Sequence, residues 1–388
     1  MHLSGLEVVV VGGGVAGLAA AAALVQRGAR VTVLEQAGGF LEVGAGIQIS
    51  PNGARVLAAL GQREGLSEIA LRSRAVVLRE GQSGRPVLRL ALPEDGPGFH
   101  LIHRADIITL LERAAAGIHT RFVAHVTQIT PEGPRPSVTL AGGERVSADL
   151  VLGADGLHSV LRKTLNPTAQ DAPFFTGQVA WRALIPCAPD APREAEVFMG
   201  PGRHLVSYPL RGGAMRNIVA VEERTDWAQE GWNHPDNPAT MRRAFAGFGG
   251  PVPDWLAQVD KLWLWGLFRH PVAPCWQAGH AAVLGDAAHP TLPFMAQGAN
   301  MALEDAFCLV RQLEQAATIP DALARYQMAR KGRVTRVVAA ATKNARNYHL
   351  RTPFAQIAHM ALRVSGKLAP NAPLRQFGWI YDHDVTET

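Results

Sequence analysis

Gly12, Gly14 and Gly17 constrain this chain more than any other feature. They form G-x-G-x-x-G between a short apolar run, Leu6 to Val11, and an Ala- and Leu-rich stretch, Leu18 to Gln26, that stops before Gly28. The pattern reads as strand, tight glycine turn and helix. Arg30 to Leu34 reads as a second strand ending at Glu35, which completes a β-α-β unit. Glycines at this spacing let backbone N–H groups and the helix N-terminus approach a pyrophosphate, and a carboxylate at the second strand's end accepts hydrogen bonds from ribose hydroxyls. That carboxylate also repels a 2′-phosphate. The unit therefore points to a dinucleotide with an unphosphorylated adenosine, without separating NAD from FAD.

Two later strands end in glycine turns of their own. Asp149 to Leu152 runs into Gly153-Ala154-Asp155-Gly156, and Ala281 to Leu284 into Gly285-Asp286. Strands of this kind, far apart in sequence, suit one parallel sheet whose carboxyl ends share a crevice. Residues 176 to 270 change to alternation and aromatic residues: Trp181, Tyr208, Trp227, Trp232, Trp263 and Trp265 fall there, with alternating segments Gln178 to Ile185, His204 to Leu210 and Met215 to Val221. Arg211-Gly212-Gly213-Ala214 turns between the last two, so an antiparallel sheet is expected as an insertion. The expected class is α/β, with residues 1–75, 100–172 and 276–345 as a discontinuous nucleotide domain. Residues 76–99 and 173–275 form the inserted sheet domain, the pattern from Asn300 to about Arg346 is long and helical, and 346–388 is a C-terminal helical segment.

Composition narrows the function classes. The net charge of 38 − 33 = +5 is spread without long basic runs, which argues against nucleic acid as a partner. No run of about 18 apolar residues suggests a membrane span, and no basic segment with a cleavage site opens the chain. Cys187, Cys275 and Cys308 lie far apart with no Cys-x-x-Cys pair, so neither a disulfide framework nor a metal site is expected and the compartment reads as reducing and cytoplasmic. The oligomeric state is open between monomer and homodimer.

The ordered segments Gly12 to Gly17, Gly153-Ala154-Asp155-Gly156-Leu157-His158-Ser159-Val160-Leu161-Arg162 and Gly285-Asp286-Ala287-Ala288-His289-Pro290 together resemble the signatures of the class A, single-component FAD-dependent aromatic hydroxylases, such as salicylate hydroxylase and 3-hydroxybenzoate 6-hydroxylase. Gly298-Ala299-Asn300-Met301-Ala302-Leu303-Glu304-Asp305-Ala306 is similar to the tract that follows in that family, and the resemblance runs from residue 6 to about 345. It implies a para-hydroxybenzoate-hydroxylase-like fold, with a Rossmann-like FAD-binding domain, an inserted antiparallel-sheet substrate domain and C-terminal helices. It also implies bound FAD, transient NADH or NADPH, and O2 added at flavin C4a and passed as a hydroperoxide to a small, electron-rich aromatic substrate. A flavin oxidase or reductase on the same scaffold and a plain NAD-dependent dehydrogenase are the alternatives.

On this resemblance the cofactor residues are Gly12, Gly14, Ala16, Gly17, Glu35, Gln36, Gly46, Ile47, Arg104, Val126, Asp155, Gly156, Gly285, Asp286, Pro293, Gly298, Ala299 and Asn300. Gly44-Ala45-Gly46-Ile47-Gln48 resembles the family loop beside the flavin ring. The helix opening near Gly298 would stabilise a reduced, anionic flavin through its backbone N–H groups. His289, beside Pro290, reads as structural. For the substrate, Gln48, Trp181, Asn217, Pro293 and Phe294 are candidates. His204-x-x-x-Tyr208 resembles the pair that 3-hydroxybenzoate 6-hydroxylase sets beside its substrate, His as proton acceptor and Tyr as orienting group. Residues two apart on a strand share a face, and an unperturbed imidazole pKa of about 6.5 suits acceptance of a phenolic proton. Leu292-Pro293-Phe294 and Gln48 depart from the 6-hydroxynicotinate hydroxylases. Trp263-Leu264-Trp265 lacks what completes a halogenase motif, so both tryptophans read as core or wall.

Overall fold

The computed structural model describes residues 1–40, 46–167, 172–224, 226, 234–369 and 372–387. Gly44, Ala45, Trp227 and Trp232 lie outside the described residues.

The opening unit forms as its pattern dictates. Glu7–Val11 is a strand, Val15–Val25 a helix and Arg30–Leu34 the parallel neighbour of the first strand. Every residue from Val15 to Leu24 is buried, and small alanines let this helix pack closely against the helix Gly298–Gln315. A helix that is apolar all round belongs inside a layered core. The sheet has six strands in the order Gln277–Ala278, Ala281–Val283, Leu150–Gly153, Glu7–Val11, Arg30–Leu34, His119–Arg121, parallel except for its first pair. Their carboxyl ends carry the glycine turns, which gathers all three signatures along one edge.

The second sheet has eight strands: His234–Pro235, Trp263–Arg269, Phe174–Pro186, Met215–Glu223, Arg203–Leu210, Glu194–Gly200, Ala75–Glu80 and Pro86–Ala91. The last two come from before residue 100, and Ala75–Glu80 pairs in parallel with Glu194–Gly200. One face is covered by the helices Pro238–Ala244 and Val252–Ala257, which close a core around Trp181, Phe198 and Phe245. The other looks back towards the nucleotide domain. A small sheet of Gly46–Ile49, His100–His103 and Leu71–Arg72 lies between the two.

The long helical pattern expected from Asn300 to about Arg346 is built of two helices, Gly298–Gln315 and Ile319–Tyr348. The first ends where the backbone turns extended at Ala316, and Thr318 starts the second: its side chain accepts from the Asp321 N–H at 3.3 Å, and Pro320 sits in the first turn where no N–H is needed. The second helix runs past 346, so the expected boundary there falls inside its last turn. Helices Phe354–Leu368, Ala372–Gln376 and Gly378–Tyr381 follow.

Candidate active site

A cavity of about 840 Å³ lies between the two sheets, and two helix N-termini line it. Helix Val15–Val25 presents Gly14, Val15 and Ala16, and helix Gly298–Gln315 presents Gly298 and Ala299. Neither helix has a side-chain cap or an acidic residue in its first turn. Their leading N–H groups therefore lack intrahelical partners and carry the positive ends of two helix dipoles.

The three fingerprint glycines divide by task. A Cβ on Gly17 would lie 1.9 Å from the Gly12 carbonyl oxygen, and one on Gly12, at φ +101°, 2.4 Å from the Ala154 oxygen. Those two positions are set by backbone packing. Gly14 has nothing within 4 Å on its Cβ side, so its backbone is open to an anion. Glu35 accepts from the Gly13 N–H at 2.7 Å and the Ala37 N–H at 2.8 Å, which holds the glycine loop to the end of the second strand.

Gly156, Arg104 and Asp286 also line the cavity, with Arg104 near enough to Asp286 to act on its charge. Burial pushes the Asp286 carboxyl up, against the opposing pull of His289 and Arg104. Its turn is held from behind: Asp305 accepts from the Gly285 N–H at 3.1 Å and is bonded to His289 Nε2. His289 is fully buried there. Asp155 accepts from the Val160 N–H at 2.8 Å, while its buried Oδ1 has no partner within the protein. Burial raises this carboxyl too. Two uncapped helix ends, an open Gly14 backbone and a cavity-lining carboxylate with an arginine near it form a set that fits a dinucleotide bearing a pyrophosphate, hydroxyls and an anionic ring.

At the far end the strand Gly46–Ile49 is clamped from both sides. Asn217 Oδ1 accepts from the Gly46 N–H at 2.9 Å, and Gln48 lies near enough to the Tyr208 hydroxyl to oppose the upward push of its burial. Asn300 donates to the Gln48 carbonyl at 3.1 Å and to the Ala296 carbonyl at 2.7 Å, and accepts from the Ser50 N–H at 3.0 Å. The floor is the inner face of the eight-stranded sheet. Register sets His204 beside Val221, Val206 beside Val219 and Tyr208 beside Asn217, while Arg182 follows Val219 on the next strand. His204 is 1% exposed, and its Nδ1 lies 2.7 Å from His349 Nε2. Nε2 is therefore the ring nitrogen left for a ligand. Phe294 and Tyr348 stand 5.1 Å and 5.2 Å from its ring. Burial, with His349 adding to it, pushes the His204 imidazole well below its ordinary range.

Residues 5–341 match the family described as FAD binding domain. The chain is 36% identical over 395 residues to the 3-amino-4-hydroxybenzoate 2-monooxygenase PtmB3 of Streptomyces platensis, covering 98% of this chain and 96% of that protein. It is 35% identical over 360 residues to the 3-hydroxybenzoate 6-hydroxylase of Polaromonas naphthalenivorans (strain CJ2), covering 89% and 88%. The chain belongs to the FAD-dependent aromatic monooxygenases. A solved salicylate hydroxylase substrate complex superposes with a TM-score of 0.83 at 25% identity, covering 99% of this chain and 97% of that one. Klebsiella pneumoniae HpxO complexed with FAD and uric acid superposes with a TM-score of 0.82 at 25% identity, covering 94% of each. FAD is the cofactor of this monooxygenase, and aromatic hydroxylation is its reaction.

Most expected site residues meet in the cavity of the monooxygenase: Gly14, Ala16, Gly46, Ile47, Gln48, Arg104, Gly156, His204, Tyr208, Asp286, Pro293, Phe294, Gly298 and Ala299 line it. Gly12, Gly17, Gly285, Asn217 and Asn300 stand behind the lining and shape it. Gln36 is exposed at the end of its strand, and Val126 opens the strand Val126–Thr130 in a separate sheet; neither lines the cavity. Trp181, expected at the substrate, is not among the residues that line the cavity. Strand parity turns it to the far face, where it is fully buried against Phe245 and donates to Asp236 Oδ2 at 2.7 Å.

Its neighbour Arg182 lines the cavity instead, with its guanidinium 5.2 Å from the Trp265 ring. An arginine inside the apolar run Val179 to Ile185 was the available signal for it. His349 and Tyr348 had none, being at the end of a helix remote in sequence. Trp181→Phe is expected to cost about 1.5–3 kcal/mol of stability, through the lost hydrogen bond to a carboxylate, and to leave KM for the aromatic substrate unchanged. Urea denaturation beside steady-state kinetics checks it; a tenfold rise in KM would return Trp181 to the pocket. Among the described residues no helix is long and apolar enough to cross a membrane, and no group of His, Cys, Asp and Glu could hold a metal ion.

Proposed function

We propose that this monooxygenase hydroxylates a phenolic aromatic acid whose hydroxyl meets His204 and whose ring rests against Tyr208, under the flavin-end helix. The observation that carries the reading is the setting of His204: its Nδ1 is engaged by His349, and the residue lines a cavity shared with Tyr208 and Gln48, which leaves Nε2 as the nitrogen for a ligand. Gly14 and the first turn of helix Val15–Val25 hold the pyrophosphate. Glu35 serves the adenosine ribose, Asp286 and Arg104 the middle of the cofactor, and Gly298 and Ala299 the ring. Bound FAD supplies the acceptor for electrons from NAD(P)H and the centre at which O2 is activated.

His204 takes the phenolic proton and so raises electron density in the ring. Tyr208, its hydroxyl pushed up by burial, stays protonated and orients. Arg182 supports an acidic substituent by placing positive charge on the same floor. Phe294 and Trp265 wall the site and exclude water. Three free thiols, Cys187, Cys275 and Cys308, support a reducing compartment such as the cytoplasm.

A panel of monohydroxylated aromatic acids, uncharged phenols and hydroxyl-free aromatic acids tests the reading. Phenolic acids are expected to stimulate NAD(P)H oxidation with matching yields of hydroxylated product. Equal turnover of hydroxyl-free acids would overturn the role of the phenol.

Asp286→Ala is expected to weaken FAD binding about 10- to 150-fold, the equivalent of losing a charge-assisted hydrogen bond of about 1.5–3 kcal/mol. Titration of the apoprotein by flavin fluorescence measures it. Affinity equal to that of the parent would remove Asp286 from the cofactor site.

A further inference from the structure

We propose that His349 and Glu223 complete, with His204, a relay that carries the substrate's phenolic proton from the cavity to the protein surface. It rests on the reading of His204 given above.

Three elements meet to build it. His204 comes from the strand Arg203–Leu210, Glu223 ends the strand Met215–Glu223, and His349 follows the last turn of helix Ile319–Tyr348. His204 Nδ1 lies 2.7 Å from His349 Nε2, and His349 Nδ1 lies 2.8 Å from Glu223 Oε1. His204 and His349 are 1% and 5% exposed, whereas the Glu223 side chain is 44% exposed. The chain therefore begins in the cavity and ends in water.

The carboxylate decides the direction. An ionised Glu223 can only accept, so His349 carries its hydrogen on Nδ1 and its Nε2 is an acceptor. His204 must then carry hydrogen on Nδ1, which leaves a lone pair on Nε2 towards the substrate. A carboxylate two side chains away thus sets His204 as a base. When the phenol O–H breaks and Nε2–H forms, the Nδ1 proton of His204 passes to His349 Nε2. The Nδ1 proton of His349 passes in turn to Glu223 and on to water. The same hops reversed return a proton to the oxygen when the product regains aromaticity, so neither ring has to turn.

Burial explains why a relay is needed. It disfavours the charged form of both imidazoles, and Glu223 only partly offsets this at His349. A proton taken by His204 is therefore poorly held there and is driven outward. The charged and titratable groups facing the pair are Glu223, Tyr348 and Arg203, and Arg203 is itself paired with Glu222 at 3.4 Å.

The test reads proton transfer without turnover. The probe is the chromogenic phenolic acid 3-hydroxy-4-nitrobenzoate, bound to the FAD-loaded protein in the absence of NAD(P)H and titrated by its phenolate absorbance. Glu223→Gln is expected to lower the bound phenolate fraction at neutral pH at least tenfold. The Gln amide can donate to His349 Nδ1, which reverses the hydrogens along the chain and turns His204 Nε2 into a donor. His349→Gln, which keeps a polar contact without a second relay atom, is expected to match it, and Glu223→Asp to recover most of the loss. FAD content and melting temperature should stay at parent values. If His204→Ala abolishes phenolate while Glu223→Gln and His349→Gln leave it intact, the relay is overturned and His204 stands alone. If His204→Ala also changes nothing, or the probe fails to bind, the phenolic reading falls with it.

Discussion

His204→Ala is expected to slow oxygen transfer to the ring about 10²- to 10⁴-fold, the range for loss of a positioned general base. FAD content should be unchanged, because His204 lies on the floor of the cavity and not among the cofactor-holding residues. NAD(P)H oxidation should continue, since flavin reduction does not require the phenol to ionise, and its electrons should emerge as hydrogen peroxide in place of product. The ratio of peroxide to product at fixed NAD(P)H consumption is the direct measure, alongside rapid mixing of the reduced protein with O2 and substrate. His204→Gln controls for packing, because the amide can still bond His349 while offering no comparable base. If either variant keeps the parent's coupling and oxygen-transfer rate, Gln48 and Tyr208 become the groups to examine.

What the sequence disclosed and what it hid follow from how far each signal reaches along the chain. The glycine fingerprint is local: strand, turn and helix occupy adjacent residues, so Gly12, Gly14 and Gly17 were legible at once. Asp286 and Gly298 became legible as members of ordered motifs. Alternation revealed that His204 and Tyr208 share a face and left undecided which face of the sheet is the inner one. Trp181 was misplaced for that reason: its neighbour Arg182 occupies the cavity side, one residue and half a pleat away. His349 and Glu223 were invisible because their meeting depends on where a 30-residue helix ends against the sheet, which no local pattern encodes. The break at Thr318 did have a local signature, a capping threonine with Pro320 and Asp321 behind it, hidden within helical periodicity on both sides.

Arg330→Leu is expected to destabilise the fold by about 3–5 kcal/mol, because it strands two buried carboxylates. Arg330 is 1% exposed, donates from Nε to Asp305 Oδ1 at 2.7 Å, and pairs with Glu304 Oε2 at 2.6 Å. Glu304 also takes Arg333 at 2.8 Å and the Asn52 amide at 2.6 Å, and Asp305 reaches the Gly285 N–H and His289. One guanidinium therefore ties helix Ile319–Tyr348 to both the turn that carries Asp286 and the helix that opens at Gly298. For 388 residues the loss corresponds to a fall of about 4–6 °C in Tm. The pH dependence should change as well. Burial opposes ionisation of Glu304, yet Arg330 and Arg333 outweigh it and keep this carboxyl lowered; at Asp305, His289 and Arg330 do the same. Groups depressed on folding contribute fully above the unfolded carboxylate range of about 4 and lose that contribution as pH falls through their folded values. Without Arg330, burial is less opposed and both carboxyls rise, so the variant's stability deficit should be largest near neutral pH and narrow as acid protonates the two groups. Arg330→Lys keeps the charge but not the fork that engages two acids, and should fall between the two. Thermal melts across an acid series measure both effects. A leucine variant melting within a degree of the parent at every pH of the series would show that the two carboxylates find other partners and that Arg330 is not what joins these elements.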